Sequence, residues 1–319
     1  MKPIRLRLKV RQIQVVLAIA DMGNLLRAAE KLNITQPAIS KALTVIEEDI
    51  GERLFDRTPY GARPTPAGEV VIRHGRNVLA DIQRMQDDLE ATLRGDVGTL
   101  RLGVFSLISD WEAISDAIIQ ARTKAPGLTL MIDTGKMEDL VEKLDAGQLD
   151  VIVGRYPYTA QQDHHSVKGI TRDRIVVVVR NGHPLLEEPE ELTFEHLLDY
   201  PWVLPPKDNY VRLQLELEVS EIGLKLAETS VISLSVPINT GLVLRTDSIM
   251  MMPECVARTL ERNRGLRILP FDLPLSVGPL VAIWRSERVV DQLRDIFVEE
   301  LDQIVASEKG GNGLGNENT

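Results

Sequence analysis

The sequence predicts a mixed α/β chain in three parts: a small front end of short helices and a hairpin, one long helix, and a larger body in which strands and helices alternate. Three observations carry this. Apolar residues recur at helical spacing through the first 50 residues and again over 66–94. The body then shows short apolar runs (LRLGVF, LTLMID, DVIVG, IVVVVR) alternating with helical stretches such as 111–124 and 136–147. That is βαβ patterning, which builds mostly parallel sheet. Finally, charge divides unevenly. Residues 1–80 hold 13 Lys+Arg and 8 Asp+Glu, a balance of +5 within a chain whose net charge is -10. A basic front end on an acidic body points to an anionic partner for the front end alone.

The 319 residues suffice for two or three domains. The start MKPIRLRLKVRQIQ lacks an apolar run of signal-peptide length, and no stretch approaches the ~18 apolar residues of a membrane span. A cytoplasmic protein without membrane contact is the expectation. The single cysteine, Cys255, forms no internal disulfide, which fits a reducing compartment.

Val10, Ile13, Leu17 and Ala20 stripe a first helix that ends near Met22-Gly23. Asn24 can cap a second helix through Leu25, Ala28, Ala29 and Leu32. Thr35 can cap a third, with Pro37 in its first turn, where a missing N–H costs little. Ile39, Leu43, Ile46 and Ile50 form the buried face of that helix. Its other face shows Gln36, Ser40, Lys41 and Thr44, short groups where a solvated helix usually carries long charged ones. In RLFDRTPYGARPTPAG, Pro59-Tyr60-Gly61 turns a small hairpin surrounded by Arg53, Arg57 and Arg63, and Thr65-Pro66 starts the long helix. Together these describe a helix-turn-helix with a wing. Short polar side chains on such a helix can reach base edges in the major groove, while Lys41 and the wing arginines can meet phosphates.

The long helix carries Val71, Val78, Ile82, Met85 and Leu89 in alternating steps of about 3.5 residues, with Gly75 in the remaining inward place. The pattern predicts pairing with a second copy. RGDVGTL (94–100) reads as a linker, and further strand-like pieces fall at 266–271 and 279–284. The expected divisions are 1–65, DNA binding; 66–95, linker and dimerisation helix; and 96–305, the α/β body. The tail 306–319 reads as disordered.

NLLRAAEKLNITQPAISKALTVIEEDIGERLFDRTPYGARPTPAG resembles the DNA-binding region of LysR-type transcriptional regulators. The matching pieces are AA-x-x-L, the T-Q-P-A-I-S-K opening of the third helix, the L-F-x-R wing and the final T-x-A-G. The resemblance implies a winged helix-turn-helix, a dimerising linker helix, and an effector-binding domain over 96–305 like type 2 periplasmic binding proteins, with lobe I about 96–165 and 268–305 and lobe II about 166–267. It implies Gln36, Pro37 and Ser40 as base readers, and Thr35, Lys41, Arg57 and Arg63 as phosphate contacts. Leu26 departs from the Ser or Thr common at its place. The resemblance further implies a dyad-symmetric promoter site, a homodimer to homotetramer, a small-molecule co-inducer, and contact with RNA polymerase.

Open α/β lobes bind ligands at the carboxyl ends of their strands. Those ends are Ser106, Thr134-Gly135-Lys136 and Gly154-Arg155 in the first lobe, with Pro205, Lys207, Asn209 and Arg212 at the comparable place in the second. The four cations suit a carboxylate or phosphate effector, such as an anionic aromatic or organic acid tied to catabolic genes. A neutral sugar would instead use Ser106, Thr134 and Asn209. No catalytic constellation, metal-ligand spacing or cofactor loop is present in the sequence, so neither an enzyme nor a cofactor is expected. The alternative reading is a solute-binding module of the same two-lobed fold.

Overall fold

The structure, a computed structural model, describes residues 8–58, 61–94, 96–156, 164–187, 191–226, 231–286 and 291–312, with the side chains of 57, 58 and 309–312 outside that description. Pro59 and Tyr60 of the wing turn, Gly95 of the linker and the last seven residues lie outside the described residues. By packing, the chain forms two compact units. One is built on residues up to Thr99 with Glu142–Asp150, the other on Leu100–Val141 and Val151 onward.

In the first unit, helices α1 (Val10–Met22), α2 (Leu25–Lys31) and α3 (Gln36–Ile50) precede the hairpin β1 (Phe55–Thr58)–β2 (Gly61–Pro64) and the long helix α4 (Pro66–Arg94). Ile13, Val16, Ile19, Ala28, Ile39, Leu43, Ile46, Leu54, Phe55 and Ile72 close one core. Asn24 caps α2 by accepting from the Leu26 N–H at 2.7 Å. Thr35 is the N-cap residue of α3 but makes no side-chain cap bond, so its hydroxyl stays uncommitted to the helix. The wing is pinned twice. The Ala62 N–H donates to the Gly23 carbonyl at 2.8 Å, and a Cβ on Gly61 would lie 2.3 Å from that same oxygen. Gly68, the glycine of T-x-A-G, lets α4 pass the Leu54 carbonyl, 2.0 Å from where a Cβ would stand.

Gly75 and Val71 differ from expectation. A Cβ at Gly75 would meet the Ile13 Cγ2 at 2.9 Å, and Val71 packs on the winged-helix core. The first turns of α4 therefore spend their apolar face on α1 within the chain. Further along, the Arg84 guanidinium is buried and donates to the carbonyls of Gly147 (2.5 Å) and Leu149 (3.2 Å), with the Asp150 carboxylate at 2.8 Å.

The second unit has two five-stranded sheets. The first, in order β4-β3-β5-β12-β6, comprises β3 (Gly98–Phe105), β4 (Leu128–Gly135), β5 (Val151–Arg155), β6 (His165–Thr171) and β12 (Leu280–Arg285). The second, in order β11-β7-β10-β8-β9, comprises β7 (Ile175–Arg180), β8 (Trp202–Leu204), β9 (Val231–Ile232), β10 (Ile249–Pro253) and β11 (Leu266–Asp272). Around them lie α5 (Glu112–Lys124), α6 (Met137–Asp145), α7 (Phe194–Leu198), α8 (Tyr210–Glu221), α9 (Val236–Val243), α10 (Glu254–Arg264) and α11 (Gln292–Asn312). IVVVVR is buried on both faces because β7 is an interior strand: Val176 and Val178 join one core while Val177 and Val179 join the other.

Both sheets are mixed rather than mostly parallel. β12 runs antiparallel to β5 and β6, and β7 runs antiparallel to β10 and β11. The lobe boundaries also move. Strand 165–171 belongs to the first sheet, although lobe II was expected to start at 166, and strand 266–272 belongs wholly to the second. Alternation marks a strand but not its partner; only the two crossings, at 172–174 and 273–279, decide that. The segment 306–312, read as disordered tail, continues α11.

Candidate DNA-reading face and effector cavity

The outer face of α3 is set by its buried one. With Ile39, Leu43 and Ile46 fully buried, Gln36, Pro37, Lys41 and Thr44 are exposed and Ser40 is half-buried. Thr35 is exposed just ahead of the helix, and Arg63 is exposed on β2. The Arg57 side chain lies outside the described residues; its backbone pairs with Ala62 across the hairpin. The Thr44 hydroxyl donates to the Ser40 carbonyl at 3.0 Å, so toward a base it acts as an acceptor.

Glu47 plays a part that the sequence did not signal. Its carboxylate accepts from the Leu54 N–H at 2.8 Å and the Phe55 N–H at 3.2 Å, tying the end of α3 to the start of the wing. It serves as a brace between the two elements. Behind α3, Asp21 accepts from Lys31 and Arg76, each at 3.1 Å. Burial alone would raise the Asp21 carboxyl, but the bonds and charges of those two cations outweigh it and hold the group below its ordinary value. On α4, Val78 and Met85 are exposed, Ile82 is half-buried, and Leu89 and Leu93 stand 59% and 78% exposed, an apolar row without cover in the single chain.

The second unit contains a cavity of about 50 Å³. Leu107, from the turn after β3, lines it together with Val203 and Met250–Met252 of the second sheet and Pro205, Asn209, Ser233 and Asn239 from the loops and helices beside that sheet. Of the strand-end candidates, Pro205 and Asn209 line this cavity. Asn209 is also the N-cap of α8, its Oδ1 accepting from Val211 and Arg212 at 3.1 and 3.4 Å. Among the described lining residues, Ser106, Thr134, Lys136, Arg155 and Lys207 are absent. Thr134, Lys136 and Lys207 are exposed.

Arg155 and Arg212 have structural work instead. Arg212 is buried against Glu216 and the Pro205 carbonyl, both at 2.8 Å. Arg155 pairs with Asp173 at 2.6 Å and also donates to the Gly278 carbonyl. Asp173 lies in one crossing between the sheets and Gly278 in the other, so a single guanidinium holds both. The same Asp173 accepts from the Cys255 N–H at 3.0 Å. Burial, then the Asp173 charge, pushes the Cys255 thiol well above its ordinary value, which makes it a poor nucleophile. Asn239 and the methionines had no motif to announce them: IMMMP reads only as a buried strand.

Residues 10–69 match the model of the bacterial regulatory helix-turn-helix protein, lysR family, and residues 93–304 match that of the LysR substrate binding domain. The chain belongs to the LysR family. Curated relatives of this LysR-type regulator include the HTH-type transcriptional regulator GbpR of Azospirillum brasilense, 29% identical over 89% of this chain and 83% of that protein. Another is ClcR of Pseudomonas putida, 27% identical over 90% and 96%. Full-length CbnR complexed with its target DNA superposes with a TM-score of 0.61 at 21% identity, covering 93% of this chain and 100% of that one. At that identity the likeness speaks for the fold. The regulator thus has a DNA-binding domain and an effector-binding domain, and its relatives are transcriptional regulators rather than enzymes. Among the described residues, no helix is long and apolar enough to cross a membrane.

Proposed function

We propose that this LysR-type regulator reads a dyad-symmetric promoter site as a homodimer or homotetramer and controls catabolic genes in answer to a small-molecule co-inducer. The observation that carries the reading is the exposed polar row Gln36, Lys41 and Thr44 on a helix whose opposite face is fully buried. Gln36, Pro37 and Ser40 read bases; Thr35, Lys41, Arg57 and Arg63 hold phosphates. The apolar row Val78, Ile82, Met85 and Leu89 pairs two copies, which sets the spacing of the half-sites.

The co-inducer enters between the sheets of the second unit, and its binding shifts the balance between alternative arrangements of the oligomer on DNA, changing the bend and the contact with RNA polymerase. An anionic effector would need cations at the cavity, and none lines it among the described residues. Footprinting of the upstream DNA with and without candidate metabolites tests the reading. A ligand-dependent change in footprint length together with promoter output is expected; a ligand that binds and alters neither would overturn the mechanism.

A further inference from the structure

The polar groups of the cavity are few, and their bonding can be worked out. The Ser233 main-chain carbonyl only accepts, and Asn239 Nδ2 donates to it at 3.3 Å. That identifies Oδ1 as the other end of the amide. It is buried and has no hydrogen-bond partner among the described residues. The Ser233 hydroxyl oxygen accepts from the Ser235 N–H at 3.0 Å, which leaves its proton free to donate. Asn209 also lines the cavity, with its Oδ1 committed to the Val211 and Arg212 N–H groups. The rest of the wall is largely apolar, with Leu107, Val203, Val236, Leu234, Met250 and Met252 among its residues. A buried acceptor left unpaired is costly and uncommon in a folded protein. A carboxylate placed among these walls would lose its hydration and find no cation in return.

We propose that the cavity takes a small neutral molecule bearing a hydroxyl or N–H group, and that Asn239 is the specificity-determining residue that accepts from it. The assignment rests on the reading of this cavity as the co-inducer site. Asn239 Oδ1 meets the donor, the Ser233 hydroxyl offers a proton to the ligand oxygen, and the methionines of β10 mould to the carbon skeleton. At about 50 Å³, the space lies far below the ~300–1,000 Å³ of sites for larger ligands. The ligand is therefore compact.

The test uses the full-length protein and three ligands sharing one skeleton: isobutanol, isobutyramide and isobutyrate. Each is observed by saturation-transfer NMR with wild type, Asn239→Leu and Leu107→Phe. Isobutanol and isobutyramide should give signals several-fold above isobutyrate, and both should fall several-fold in the two variants. Asn239→Leu should melt within a few degrees of wild type, because it trades one long hydrogen bond for the removal of an orphan acceptor. If leucine unfolds the lobe, Asn239→Ala gives the same comparison. An isobutyrate preference that Leu107→Phe abolishes would keep the cavity and overturn the ligand class. Neutral signals that survive Asn239→Leu would overturn the role of Asn239. Binding untouched by Leu107→Phe would overturn the cavity reading itself, and silence from all three ligands would overturn the proposal.

Discussion

At the scale of single residues, the groups proposed to face DNA and those that shape the domain call for different experiments. On the proposed base-reading role of Gln36, Gln36→Ala should weaken the specific operator by about 1–3 kcal/mol while leaving random DNA unchanged in a gel-shift comparison. On the proposed phosphate contact of Arg63, Arg63→Ala should weaken binding to both DNAs and flatten the slope of log K against log salt by about 1. Asp21 tests acid behaviour. Its carboxyl is held below the ordinary value, so its stabilising effect is complete above about pH 4 and is lost as pH falls through the lower folded value. Asp21→Asn should therefore lower the urea midpoint at pH 7 and converge with wild type only once the medium is acidic enough to protonate the folded-state carboxyl. The exposed polar row of α3 was legible in sequence because the buried stripe Ile39, Leu43 and Ile46 fixes which side faces out. The effector side was not: Arg155 and Arg212 stand at the expected strand ends, yet their guanidiniums bind Asp173, Gly278, Glu216 and Pro205. A sequence shows that a cation is present, not which neighbour claims it.

At the scale of elements, the helices and strands were largely readable, since each carries its own period, caps and turns. The expected helices at 111–124 and 136–147 stand at 112–124 and 137–145. Partnership was harder to read. The repeat on α4 runs from Val71 to Leu89 with Gly75 in one inward place, but its first turns pack on α1 and only the later ones stay open. A period reports that a face is apolar, not what covers it. Met85→Glu with Leu89→Glu should consequently lower the sedimentation mass of the oligomer without changing the far-ultraviolet signal of the chain. Gly68→Ala places a methyl group against the Leu54 carbonyl and should cost about 1–3 kcal/mol in thermal unfolding, with the wing and α4 forced apart.

At the scale of the whole molecule, the winged helix-turn-helix was visible as a composite motif, whereas the sheet orders were not. Strands β6 and β7 follow each other with three residues between them and enter different sheets. That choice depends on long-range pairing with β12 and β10. The two crossings meet at Arg155. Its replacement by alanine leaves a buried Asp173 carboxylate without its cation and should cost about 3–5 kcal/mol, read as a lower urea midpoint for the second unit.

The brace made by Glu47 has a consequence for how promoter variants are tolerated. Because the end of α3 and the start of the wing share one carboxylate, the proposed base-reading row and the arginine-bearing hairpin are tied together like the two jaws of a fixed caliper. The gap it gauges along the duplex is set by the protein. A promoter whose groove spacing departs from that gap must deform its own DNA to be held, and the regulator will sort such sites by their flexibility as well as by their letters.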